Sequence, residues 1–131
     1  MLHRRWVALV FRGFDGGGGG STETHIVRAD LRSSLRRYTS VLDDQGSDRT
    51  SPIVDRLFVS PRGGEAYSSD DLDEGEGRTG LVGYVPPPEN GRNVRERFLD
   101  FSPGVVGDSL RVGGGLVQWM NRDVAKTAPW R

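Results

Sequence analysis

The sequence predicts a small α+β fold: one amphipathic helix packed on a few short, mostly antiparallel strands, with long Gly-rich and acidic loops between them. Three observations lead there. Between residues 24 and 42, Val27, Leu31, Leu35, Tyr38, Val41 and Leu42 fall within a sector of about 120° when wound at 3.6 residues per turn. Elsewhere the apolar residues come in short runs bounded by glycine and proline, the pattern of strands. Only 34% of the 131 residues are apolar, so one modest core is the most the chain can build.

The first apolar run, residues 3–14, holds Trp6, Val7, Leu9, Val10, Phe11 and Phe14 and reads as a largely buried strand. Residues 15–23 follow as a Gly-rich flexible loop, because the glycines at 16–20 offer no side chain to pack and lose the most entropy on ordering. Ser21, Thr22 or Thr24 then caps the helix over 24–42, and Asp43, Asp44 and Gly46 stop it. Residues 53–59, between Pro52 and Pro61, read as a further strand, with a helix as the alternative. Residues 62–79 read as an acidic mobile loop, since 65–76 carry six acids and no base. A short strand at 81–85 is stopped by Pro86, Pro87 and Pro88 in a polyproline II segment, and 93–101 gives a short helix before Pro103. Strands at 109–112 and 116–120 flank Gly113, Gly114 and Gly115 as a hairpin, and 121–131 reads as a loose C-terminal tail. Residues 1–131 are expected to form a single small domain.

Charge is balanced overall but segregated. Residues 1–42 carry seven arginines against Asp15, Glu23 and Asp30, and the acidic middle follows. Lys126 is the single lysine among 18 basic residues, so the cationic chemistry is guanidinium, whose planar fork suits carboxylate and phosphate. The absence of cysteine removes disulfides, thiolate metal sites and a thiol nucleophile. The N-terminal apolar run is too short for a signal-peptide core, and no run approaches a membrane span, so an intracellular protein with no membrane contact is expected.

Three constellations could carry chemistry. Arg28, Arg32 and Arg36, spaced four apart, would line one flank of the expected helix, with Arg37, Arg4 and Arg5 nearby. Like charges at that spacing repel by a few tenths of a kcal/mol per pair, so an anion is expected to offset them: RNA, an acidic protein surface, or the chain's own 65–76 segment. The second is Gly18, Gly19 and Gly20 with Ser21 and Thr22, a weak phosphate-binding loop leading into a helix start but without the lysine of a P-loop. The third is Ser68 and Ser69 ahead of Asp70 and Asp71, an acid-directed phosphorylation pattern. His3 and His25 have no adjacent nucleophile, and no carboxylate or histidine cluster has metal-ligand spacing. Neither a cofactor nor a metal is expected.

Pro103, Gly104, Val105 and Val106, with Arg111 and then Gly115, Leu116 and Val117, are similar to the catalytic hairpin of the trimeric dUTPase family. Arg78, Thr79, Gly80 and Leu81 look like that family's phosphate-contacting motif, and Arg12, Gly13 and the glycines at 16–20 with Ser21 and Thr22 resemble its Gly-rich closing arm. The resemblance implies a nucleotide-binding enzyme on a small β-barrel. This chain departs from it at Gly107, where the catalytic aspartate would stand, at Leu110, where an aromatic would cover the base, and in the arm's position at the other end. The reading favoured by the residues is a small non-catalytic binding or accessory protein of viral or phage-like character. Its Arg-rich helix face would contact RNA or an acidic protein. A nucleotide- or phosphate-binding enzyme and a purely protein–protein module are the alternatives.

Overall fold

A computed structural model describes residues 2–3, 5–14, 22–32, 37–42, 53–73, 77–90, 92 and 94–130. The described residues are all β, with no helix among them, and their strands form three antiparallel sheets. The α+β expectation is thereby corrected. None of the described helices is long and apolar enough to cross a membrane, there being none.

The chain builds three successive meanders. Strands β1 (Leu2–His3), β2 (Trp6–Phe14), β3 (Thr22–Asp30) and β4 (Arg37–Leu42) pair in chain order as the first sheet. Strands β5 (Ile53–Val59), β6 (Glu65–Asp73), β7 (Gly77–Val85) and β8 (Arg97–Ser102) form the second. Strands β9 (Val105–Gly113), β10 (Leu116–Asn121) and β11 (Val124–Pro129) form the third.

The helix expected over 24–42 is replaced by β3 and β4, which pair with each other from Thr24 opposite Leu42 to Ala29 opposite Arg37. The physical reason lies in which residues are buried. Along β3, Thr24, Ile26 and Arg28 are buried and alternate with half-buried His25 and Val27, a period of two. Two members of the buried set are polar, so an apolar count misses the face they make. The β-branched residues of β3 also favour the pleated backbone. The short helix expected over 93–101 is likewise replaced, by edge strand β8, whose Asp100 stands opposite Val82 and Arg97 opposite Tyr84.

Residues 62–79, expected as an acidic loop, contain β6 and the start of β7. From Glu65 to Ser69 every residue of β6 is buried, because the middle sheet is covered on both faces. Ala66 joins Val82, Tyr84, Val105, Leu110, Val117 and Trp119 in the core against the third sheet. Tyr67 packs on Ile26 of the first sheet, and Trp6 and Ala8 pack on Val59 beside it. The ring of Tyr67 lies over Gly83 on β7, where any Cβ would collide with it.

The hairpin read from Gly113, Gly114 and Gly115 is present: Val117 stands opposite Val112 and Leu116 opposite Gly113. The turn itself is Gly114 and Gly115, both at positive φ (57° and 75°), as a two-residue turn that follows the twist of its strands requires. The segment expected as a loose tail holds β11, paired with β10 along its whole length.

A buried arginine and an open groove

The sequence-derived arginine set does not share one surface. Arg28 is fully buried in β3. Its Nη1 donates to the carbonyls of Gly63 at 2.6 Å and Pro86 at 3.0 Å, and its Nε lies 3.6 Å from Glu65 Oε2, both side chains being 0% exposed. It therefore ties the first sheet to two loops and one strand of the second. Arg32 is exposed beyond the end of β3, with its backbone N–H bonded to Asp30 Oδ1. Arg5 lies over the Trp6 ring, 5.6 Å from its centroid, and pairs with Asp30 at 3.3 Å. Arg37 opens β4 opposite Ala29. Arg4 and Arg36 lie outside the described residues, as do Gly18, Gly19, Gly20 and Ser21, whereas Thr22 begins β3 opposite Phe14.

Ser68 and Ser69, the phosphorylation candidates, are buried in β6, 0% and 2% exposed, and Ser68 Oγ donates to the Gly107 carbonyl at 2.7 Å. A kinase cannot reach either hydroxyl in this fold. The positions behind the dUTPase resemblance are also placed. Leu110 is fully buried in the core, Arg111 bonds through Nη1 to the Asp108 and Leu110 carbonyls, and a Cβ on Gly107 would collide with the Asp55 carboxylate. A carboxylate at 107 would have to displace the Asp55 side chain and stand beside its charge.

A different site is assembled where the second and third sheets meet. β7 ends in Pro86, Pro87 and Pro88, which carry no N–H to extend a ladder. The proline wall faces Ala128 and Pro129 of β11 across a groove of about 640 Å³, floored by Tyr84 and Leu99. Trp130 follows Pro129 of the β11 wall and packs beside Tyr84. Its N–H donates to the Gly115 carbonyl at 2.7 Å and its ring lies 6.2 Å from that of Tyr84, so the residue after β11 is held in place. Trp130 also lines an adjoining hollow of about 380 Å³ with Ser60, Pro61 and Arg62.

Arg62, in the turn between β5 and β6, and Arg97, on β8, both line the groove. Both are exposed, and among the described residues no carboxylate pairs with either. Glu96, just before β8, and Asp100, on it, are directed elsewhere. Tyr67 Oη donates to Glu96 Oε1. Asp100 Oδ2 accepts from the Trp119 indole at 2.7 Å and from Asn121 at 2.9 Å. Burial opposes ionisation of Asp100, but those hydrogen bonds, with the Lys126 charge, outweigh it and hold the carboxyl below its usual range. Glu89 is the acid that lines the groove. Arg62 and Arg97 escaped the sequence reading because they stand apart in the chain; Pro61 and Pro86 beside the two walls were the available signal.

The Glu96–Tyr67 contact carries a pH dependence. Burial lifts the Glu96 carboxyl above its ordinary value, and the hydrogen bond from Tyr67 offsets this only in part. Burial, and then the Glu96 and Glu65 carboxylates, hold the Tyr67 phenol protonated far above its usual range. Folding thus favours protonated Glu96. That contribution is present below the ordinary carboxyl pKa, about 4, and is lost as pH rises through the raised value. Glu96→Gln keeps an acceptor without the charge. It should raise Tm at pH 7 relative to wild type, with the gap closing toward about pH 4 in scanning calorimetry; a lower Tm at pH 7 would contradict this.

Comparisons of the chain with protein-family models, curated proteins and solved structures find no match.

Proposed function

We propose that this chain is a non-catalytic binding protein that takes an acidic, extended segment of a partner protein into the groove between Pro86–Pro88 and β11. The observation that carries the reading is the pair Arg62 and Arg97, exposed and without a carboxylate partner among the described residues, flanking a floor of Tyr84 and Leu99. Apolar floor and guanidinium walls together suit a strand whose side chains alternate between aliphatic and carboxylate, and a proline- and aromatic-lined wall suits an extended backbone. RNA fits the same groove less well. Two arginines offset by Glu89 would neutralise few phosphates, and affinity for nucleic acid rests on many such contacts.

Titration of the protein with a blocked octapeptide of alternating valine and glutamate, followed by tryptophan fluorescence, tests the reading. Binding should shift the Trp130 emission, weaken with added salt, and fall about tenfold in the Arg62→Ala/Arg97→Ala variant, a loss of about 1.4 kcal/mol. Absence of binding, or an equal affinity in the double variant, would sink it. Tighter binding of a single-stranded RNA of equal length would move the assignment to nucleic acid.

A further inference from the structure

Strand β11 ends the third sheet, and among the described residues no strand pairs with its outer side. The ladder fixes which backbone groups that side presents. Trp130 N–H donates to Gly115 O, and the register continues through Ala128 opposite Val117 and Lys126 opposite Trp119. In an antiparallel pair the hydrogen-bonded positions alternate. Lys126 and Ala128 therefore bond toward β10, while Ala125 and Thr127 direct N–H and C=O outward and Pro129 directs only its carbonyl. Residues from Val124 to Thr127 are all exposed.

Both ends of this edge open onto a depression. At one end Ala128 and Pro129 line the groove with Arg62 and Arg97. At the other, Val124 and Lys126 line a hollow of about 320 Å³ with Arg122 and Ser102. A strand lying along β11 would reach both, since four residues of extended chain span about 13 Å. Cations stand at each end, and β11 itself holds no acid. Asp123, in the turn before Val124, is exposed at one end, and Asp100 is bonded to Trp119 and Asn121.

We propose that the acidic partner segment binds by adding as a fourth strand to the free edge of β11, pairing with Ala125 and Thr127. This rests on the groove reading above and specifies its mode. Main-chain hydrogen bonds hold the segment, and its alternate side chains drop toward β8 into the two depressions, where Arg62, Arg97, Arg122 and Lys126 meet its carboxylates.

The same valine–glutamate octapeptide tests the mode separately from the binding. With the intact protein and saturating peptide, amide hydrogen exchange at Ala125 and Thr127 should slow about tenfold or more, while Lys126, already bonded to β10, stays unchanged. Two further peptides, N-methylated on every valine or on every glutamate, remove the N–H groups of one edge or the other; one of the two should lose binding and the other keep it. Fluorescence-detected binding with no slowing at Ala125 and Thr127, or equal effects of the two methylation patterns, overturns strand addition and leaves the groove reading standing. No fluorescence change with any peptide overturns both.

Discussion

Replacing Arg28 with alanine is expected to cost about 3–5 kcal/mol of folding stability, the range for removing one partner of a buried ion pair. The side chain is fully buried; it donates to the Gly63 and Pro86 carbonyls and pairs with the Glu65 carboxylate at 3.6 Å. Truncation leaves a buried carboxylate and two carbonyls in a low-dielectric seam between sheets, with a cavity where the guanidinium lay. Urea denaturation should show the loss as a lower midpoint. The double variant Arg28→Leu/Glu65→Leu should recover a large part of it, because both members of the buried ion pair are then removed together. A loss under about 1 kcal/mol for the single variant would mean that the first and second sheets do not meet through this residue.

The second large effect is expected at Gly107. Aspartate there would place a Cβ against the Asp55 carboxylate and a second acid beside it, in a position that is itself buried. The Asp55 side-chain end can turn away from the added Cβ, so like-charge repulsion in a buried position dominates, and a loss of about 2 kcal/mol follows. Gly113→Asp is the matched control. A Cβ there meets nothing within 4 Å, so its effect should stay within about 1 kcal/mol. Thermal melts of both variants decide the matter. Equal stability of the two would show that the β9–β10 hairpin can accept an acid at 107, and would reopen the nucleotide-enzyme alternative.

Much of the strand content could be read from the chain. β2, β5 and the β9–β10 hairpin announce themselves through dense apolar runs, bounding prolines and a glycine turn, all local signals. β6 does not. Its sequence is rich in Asp and Ser, which sheets disfavour, yet every residue from Glu65 to Ser69 is buried. Partners distant in sequence make that possible: Arg28 answers Glu65, the Gly107 carbonyl takes Ser68, and Glu96 takes Tyr67. β3 reads as a helix for the related reason that two of its three buried residues, Thr24 and Arg28, are polar, while the apolar residues around it fit a helical sector. The same blindness moved the expected binding surface. An arginine looks like surface in any local window, so Arg28 was counted with Arg32, whereas Arg62 and Arg97 meet only through the turn after β5 and the pairing of β7 with β8.

Guanidiniums flanking the groove are proposed to meet carboxylates of an extended partner, and a charge swap decides whether they do. Affinities are measured for wild type and for Arg62→Glu/Arg97→Glu, each against the valine–glutamate octapeptide and against its valine–lysine counterpart. Wild type should bind the acidic peptide and ignore the basic one, and the reversed protein should do the opposite. Binding of the acidic peptide undiminished by the reversal, with no gain for the basic one, would contradict the claim.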